Sequence, residues 1–308
     1  MGAGHGHGHT HAAGRVEDRK RLRFVLAVTS VVVVTEALGA WWSGSLALLA
    51  DAGHMLTDAA GILIALSASL IASRPANSRR TFGYHRVEIL AAVFNALVLL
   101  GVCGYLAYAG TRRLVDPVDV DAGQMLVFAA VGLAANLVSV LALSRRKDNS
   151  LNMRGAYLEV LSDTVGSVAA IVAGVLVLTT GFLRADSIAS LAIAVLVLPR
   201  AWSLLREAGG VLLEAAPPGV DVEDVRRHLS AVDGVVDVHD LHAWTITSGM
   251  PALSAHVTVT DAALAARGVG QVLDDLAHCV DECFGIHHAT FQVEPESHRE
   301  HEHDTEHA

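Results

Sequence analysis

The sequence predicts an α-helical membrane protein with six transmembrane helices, followed by a small C-terminal α+β domain. Three observations carry that prediction. Hydrophobic residues make up 52% of the 308-residue chain and mean hydropathy is +0.44, a combination that soluble domains of this length rarely reach. Six separate apolar runs lie at about 22–42, 46–72, 86–110, 124–144, 154–181 and 186–206. Each reaches the roughly 20 residues that cross hydrocarbon as a helix. After Leu213-Glu214-Ala215-Ala216-Pro217-Pro218-Gly219 the composition changes and strand-like segments begin.

The lead, residues 1–21, opens with Gly4-His5-Gly6-His7-Gly8-His9-Thr10-His11. Alternating Gly and His cannot build a core, so disorder is expected there. It reads either as a loose metal-capturing tail or as a solvated low-complexity end. Arg15, Arg19, Lys20, Arg21 and Arg23 follow, and their charge favours the cytoplasm. The first apolar run is expected to be retained, not cleaved as a signal, because further spans follow it.

Residues 22–208 are expected to form the membrane domain. The short link Trp42-Ser43-Gly44-Ser45 makes the first two spans an antiparallel pair, and Trp41 and Trp42 fit an interfacial anchor. Loop charge sets the orientation. Arg74, Arg79 and Arg80, then Arg145, Arg146 and Lys147, lie on the same side as the basic lead, whereas Arg112, Arg113 and Arg184 lie opposite. Both termini are therefore expected in the cytoplasm of a multi-pass cell-membrane protein. Gly- and Ala-rich stretches at 129–135 and 169–174 permit close helix packing.

Pro217 and Pro218 end the sixth helix. Residues 214–296 then read as a cytoplasmic domain. A helix at 221–232 starts on Asp221 as N-cap. Strands at 235–247 and 252–259 flank a Ser248-Gly249 turn. A helix at 265–284 and a strand at 288–294 follow. The order α-β-β-α-β suggests a small open-faced sandwich. The tail, 297–308, alternates His with acidic residues and is expected to be disordered.

Composition also excludes functions. With 22 basic against 32 acidic residues, the net charge of −10 argues against a nucleic-acid partner. Three cysteines, Cys103, Cys279 and Cys283, give no disulfide framework and suit a reduced compartment.

The chemistry concentrates in two spans. His54 and Asp58 sit four residues apart in the second, and Glu159 and Asp163 four apart in the fifth. On a helix that spacing puts each pair on one face, with Cβ atoms about 6 Å apart. Ionisable groups at membrane depth are costly and mark ion paths. Together the two pairs supply one imidazole and three carboxylates, a set able to hold a divalent metal. Three ionised carboxylates would give the metal-free site a charge that a low dielectric opposes, so protons should leave when metal binds. Glu159 or His54 is expected to carry the exchanged proton. Asp51 shares the His54 face and Glu36 lies in the first span; both are expected to support the site or line its pathway. Interhelical hydrogen bonding is the simpler reading for Glu36, Asn95 and Asn136, and Asp186 reads as a cap of the sixth helix. The set can hold Zn2+, and its three carboxylates move preference some way toward Mn2+, Co2+ or Fe2+.

The C-terminal domain holds a second group: His239, His242, His256, His287, His288 and Glu294. Hairpin arithmetic puts His256 opposite His239 and His242. The group reads as a regulatory metal site or as surface histidines on a sheet. Cys279 and Cys283 share a helix face and read as small buried residues more readily than as ligands.

Several stretches together resemble one known family. They are Ser45 to Asp58, Arg80-Thr81-Phe82-Gly83-Tyr84-His85-Arg86-Val87-Glu88-Ile89-Leu90, Asn152-Met153-Arg154-Gly155-Ala156-Tyr157, His239-Asp240-Leu241-His242-Ala243-Trp244 and Gly285-Ile286-His287-His288. The chain resembles the cation diffusion facilitators, in the bacterial cobalt–zinc–cadmium efflux branch. The resemblance implies six spans, a cytoplasmic ferredoxin-like domain, a homodimer, and export of divalent metal against protons. In one respect the chain departs from it. Zinc-transporting members carry His-x-x-x-Asp on both the second and the fifth spans, and here Glu159 stands where the second His is expected. The His-rich loop of eukaryotic members is also absent between the fourth and fifth spans.

Two further readings belong to other classes. An intramembrane metalloprotease would need His-Glu-x-x-His, but Met55 follows His54 and position 58 is Asp, so no enzyme is expected. A non-transporting metal sensor would use only the C-terminal group. Within the transporter class, the alternative is an exporter of Mn2+ or Fe2+.

Overall fold

The structure, a computed structural model, describes residues 8–144 and 151–301, with side chains described for 23–144 and 154–298. The chain divides into two units: Met1–Ile64 with Phe94–Leu204, and Ala65–Val93 with Leu205–Ala308.

Six long helices make up the membrane domain. They are α1 (Gly8–Ser43), α2 (Leu46–Ala72), α3 (Arg86–Val115), α4 (Ala122–Ser144), α5 (Leu151–Thr180) and α6 (Arg184–Leu212). Of these, α1, α4 and α5 lie within the first unit, and α2, α3 and α6 run from it into the second. Each contains a stretch long and apolar enough to cross a membrane. The expected spans match in number and order; α3 runs five residues past the expected end, and α6 runs to Leu212.

The lead departs from expectation. Helix α1 begins at Gly8, inside the segment for which Gly and His alternation argues disorder. Propagating a helix backwards from an existing span needs no new nucleus, and residues 12–23 include good helix formers. Residues 1–7, which carry His5 and His7, lie outside the described residues. So do residues 302–308 of the tail and the 145–150 loop with Arg145, Arg146 and Lys147. A 3-10 turn, Glu296–His301, occupies the start of the tail.

Packing follows helical periodicity. On α4, the buried residues Ala122, Met125, Ala129, Gly132, Asn136, Ser139 and Leu143 recur at alternate steps of three and four, a single inward stripe. On α2, Leu49, Leu56, Leu63 and Leu70 form an exposed stripe. At 100° per residue that stripe lies opposite His54 and Asp58, so the polar pair turns inward as the apolar leucines turn to lipid. Small residues allow close approach: Ala40, Ala47, Ala129, Ala170 and Ala173 pack in one cluster around Met125.

Asp186 corrects the sequence reading. It lies in the first turn of α6, yet it caps α2. The Leu46 and Ala47 N–H groups donate to its carboxylate at 2.7 and 3.1 Å, and the Ser45 hydroxyl donates at 2.6 Å. The Arg113 guanidinium lies 3.7 Å away and donates to the Gly44 carbonyl at 2.7 Å. A buried helix start needs acceptors for its free N–H groups and favours negative charge, and Asp186 supplies both from another helix.

The second unit contains the C-terminal domain. Its elements are α7 (Val222–Ser230), β1 (Val235–Thr247), β2 (Met250–Val259), α8 (Asp261–Phe284) and β3 (His288–Pro295). Asp221 caps α7 by accepting from the Glu223 N–H, as its position predicts. The sheet order is β1-β2-β3, with β1 and β2 antiparallel and β2 and β3 parallel. Val225 and Leu229 of α7 and Val272, Leu276 and Val280 of α8 bury against Leu253 and Val257 on one face of the sheet. That is the expected open-faced α+β sandwich. α8 starts four residues earlier than expected, on a Thr260 cap, and breaks at Gly268, whose φ is 78°.

Candidate metal centres

The first candidate centre lies between α2 and α5. His54 and Asp163 are both buried, and His54 Nε2 lies 3.0 Å from Asp163 Oδ1. The other ring nitrogen, Nδ1, stands 3.2 Å from the Ala50 carbonyl, one helical turn back. A carbonyl only accepts, so Nδ1 carries a proton and donates to it. In a neutral ring Nε2 then holds a lone pair aimed at a carboxylate oxygen. Two acceptors at that distance need one cation between them, a proton or a metal ion.

Asp58 and Glu159 are turned elsewhere. Asp58 Oδ2 lies 3.2 Å from Arg200 Nη1, and Glu159 Oε1 lies 3.6 Å from Arg200 Nη2. Arg200 comes from α6, directly after Pro199, which the helix accommodates. The four expected ligands are thus gathered by three helices, but they form two pairs in place of one closed cluster. Among the described residues, the cluster whose metal-competent atoms all lie within 4.8 Å of one another is in the other unit. Arg200 was missed in the sequence because it passes as a single charge within the sixth apolar run, 186–206. The signal that could have found it is a lone Arg following a Pro inside an otherwise apolar helix.

Behind His54 lies a buried polar chain. His54 Nδ1 is 3.7 Å from Asp51 Oδ1. Ser167 Oγ lies 3.1 Å from Asp51 Oδ2 and 3.2 Å from the Asp163 carbonyl, and Asn136 Nδ2 donates to Ser167 Oγ at 3.3 Å. Asp51 is fully buried. It is held close by Gly166: a Cβ there would lie 2.5 Å from Asp51 Oδ1. Asn136 makes the interhelical hydrogen bond expected of it, and Glu36 of α1 pairs with Asp51 of α2. Glu36 is fully buried beside Asp51, and the two carboxyl groups hydrogen-bond each other, which requires one proton between them. It also packs on Gly132, where a Cβ would come within 2.1 Å of Oε1. Asn95 packs its amide against Gly61 of α2.

The second candidate centre is on the open face of the sheet. His239 pairs with His256 across β1 and β2, and their rings lie 5.3 Å apart. Glu294 of β3 reaches both, with Oε2 3.5 Å from His239 Nε2 and Oε1 3.1 Å from His256 Nδ1. These three are the cluster within 4.8 Å noted above. A bulge decides where His242 goes. His239 pairs with His256 but His242 pairs with Ser254, so β1 carries one extra residue there. That residue count puts His239 and His242 on the same face despite their odd spacing. Asp240 in the bulge adopts φ 46°, a conformation Asp tolerates better than most side chains. Its carboxylate bonds His242 Nε2 at 2.9 Å and lies 3.7 Å from His256 Nε2. His242 therefore joins through Asp240.

His287 and His288 are not in this cluster. His287 pairs with Asp281 of α8. His288 starts β3, about 20 Å of strand from Glu294, and its ring meets Phe82 edge-on at 5.5 Å. Cys283 also departs from expectation, being exposed at the end of α8, while Cys279 is half-buried.

Comparison with known proteins gives one consistent answer. The family description "Cation efflux transmembrane domain" matches residues 22–213, and "Cation efflux protein, cytoplasmic domain" matches residues 217–296. The chain is 43% identical over 294 residues to the metal cation efflux system protein CzcD of Cupriavidus metallidurans, covering 96% of this chain and 90% of that protein. It is 38% identical over 283 residues to the cadmium, cobalt and zinc/H(+)-K(+) antiporter of Bacillus subtilis, covering 91% and 90%. It is 37% identical over 279 residues to the zinc transporter ZitB of Escherichia coli, covering 90% and 88%.

Proposed function

The chain belongs to the cation efflux family, the cation diffusion facilitators, and from that premise we propose that it exports Zn2+ from the cytoplasm in exchange for protons. Cd2+ and Co2+ are further cargo. The names of the Bacillus and Escherichia relatives favour these ions over Mn2+ or Fe2+, and all three names favour transport over sensing. The protein is a multi-pass membrane transporter in a family that is one of transporters and not of enzymes. Both termini face the cytoplasm, and the protein works as a homodimer through its cytoplasmic domain. Residues 22–208 carry the transport path and residues 214–296 the cytoplasmic domain.

His54, Asp58, Glu159 and Asp163 form the transport site. The observation that carries this reading is the 3.0 Å approach of His54 Nε2 to Asp163 Oδ1. One cation fits between them, so proton and metal compete for one place, which is the physical basis of exchange. Asp51, with Glu36 behind it, extends a line of acidic groups from that place into the bundle. His239, His256 and Glu294 form a regulatory metal site, with His242 steadied by Asp240.

The test is uptake of Zn2+, Cd2+, Co2+ and Mn2+ into proteoliposomes under an imposed proton gradient. Zn2+ should move, with Cd2+ or Co2+ at comparable rates, and Asp163→Ala should stop it. Preferential Mn2+ uptake would overturn the cargo, and undiminished flux in Asp163→Ala would overturn the site.

A further inference from the structure

The Asp58–Arg200–Glu159 bridge is unlike the rest of the site. A guanidinium on a membrane helix is expensive unless carboxylates meet it, and Arg200 meets two, at 3.2 and 3.6 Å. Both belong to the proposed ligand set. Charge accounts for the pairing. Asp58, Glu159 and Asp163 bring three carboxylates, one more than a site with His at position 159 would hold. Arg200 supplies one fixed positive charge, and it contacts the added carboxylate directly.

We propose that Arg200 is a tethered counter-cation of the transport site, which occupies Asp58 and Glu159 when metal is absent and is displaced when metal binds. The proposal rests on the reading of these four residues as the transport site, and assigns a specificity-determining role to a residue outside them. A divalent ion and a guanidinium repel each other and want the same oxygens. Metal binding therefore has to separate Arg200 from Asp58 and Glu159. The return of Arg200 then helps expel the metal, so it lowers affinity and speeds release. Arg200 does not ligate metal; it acts through the two carboxylates. Its length suits this, because a long flexible stem lets a charged head leave and return without moving the helix. Pro199, immediately before it, removes one backbone N–H from the α6 ladder, which eases local adjustment at that turn.

The experiment uses the full-length protein in detergent with His239→Ala and His256→Ala, so that the cytoplasmic cluster does not contribute. Co2+ is titrated and followed by its visible d–d absorption. Arg200→Gln should tighten Co2+ binding by about tenfold or more, because a positive charge beside the metal is gone. Arg200→Lys should stay near the parent, which a purely structural role for the guanidinium would not give. In a Glu159→Gln background the effect of Arg200→Gln should shrink to about threefold or less. In proteoliposomes, Arg200→Gln should lower KM and kcat together, the mark of tight binding with slow release. Arg200→Met, uncharged and suited to a lipid-facing helix, gives the same readout should Arg200→Gln prove too unstable to purify. Binding and KM within twofold of the parent for both uncharged variants would overturn the proposal, as would an equal effect in both backgrounds. The two readings fail separately. A dead Asp163→Ala with a silent Arg200→Gln removes only the role of Arg200, whereas an active Asp163→Ala removes the site itself.

Discussion

His54 Nε2 and Asp163 Oδ1 lie 3.0 Å apart, joining the second span to the fifth where both side chains are buried. Neither oxygen nor nitrogen can satisfy the other without a shared cation. The two should therefore fail as a unit. Outer partners of metal ligands alone cost about 10–100-fold when removed, so His54→Ala and Asp163→Asn should each lower Zn2+ flux by at least about 100-fold. The double variant should be no worse than either single one. Initial rates in proteoliposomes decide it; multiplying losses would show that the residues work independently.

Asp186 caps α2 from α6 through two backbone N–H groups and one hydroxyl. Asp186→Ala leaves buried donors unmet and should destabilise the protein by about 2–3 kcal/mol. Asp186→Asn keeps an acceptor but loses the charge, and should recover roughly half. Thermal unfolding in detergent measures both. Equal melting of the three proteins would mean that the cap contributes nothing to stability.

Metal on the cytoplasmic cluster should stabilise the full-length protein. At a free Zn2+ concentration of 100 times Kd the gain is about 2.7 kcal/mol for one site. It should vanish in His256→Ala and Glu294→Ala and persist in His287→Ala and His288→Ala, because the latter pair lies away from Glu294. Acidification should erase the gain, since protons compete with metal for imidazole nitrogen. A Zn2+-dependent melting shift in each variant, with Asp163→Ala as background, is the measurement.

Burial, and after it the neighbouring Cys283 thiolate, push the Cys279 thiol above its ordinary range. A raised value means less thiolate near neutral pH and slower reaction. Maleimide at pH 7 should label the exposed Cys283 several-fold faster than Cys279. The gap should narrow as pH rises and Cys279 ionises. Mass spectrometry after timed quenching reads the ratio, and a reversed order at pH 7 would contradict it.

How far the sequence could be read depends on which physical signal a residue carries. The six spans were legible because hydrophobicity and length act locally and sum over many residues. His54 with Asp58, and Glu159 with Asp163, were legible as helix-face pairs because i, i+4 spacing is itself a geometric statement. Which of them meet across the bundle was not, because that depends on helix rotation and on Arg200. Asp186 looked like a cap for its own helix, and its carboxylate serves another 140 residues away in sequence. His239 and His256 were legible as a cross-strand pair from the turn between them. The Asp240 bulge that turns His242 to the same face was not, since one inserted residue leaves no mark on composition. Glu36 read as an interhelical hydrogen-bonding residue, and its partner is Asp51; nothing in a single sequence tells which neighbour a buried carboxyl group will face.

The Asp186 cap and the Arg200 bridge fasten α6 to α2 at two levels. The first is at Leu46, the second at Asp58, about 18 Å farther along the helix. One fastening holds backbone groups that no ion competes for. The other holds two side chains of the proposed transport site. Arg200 lies midway along α6, so the two fastenings bracket its first half, where Ile193 and Ala194 pack in one cluster with Leu46 and Ala50 of α2. On the proposal above, an ion at Asp58 and Glu159 springs the second fastening and leaves the first in place, so α6 is released at Arg200 and held at Asp186. The proposed carrier is thus geared: cargo does not push the helices apart uniformly, it selects which fastening is released.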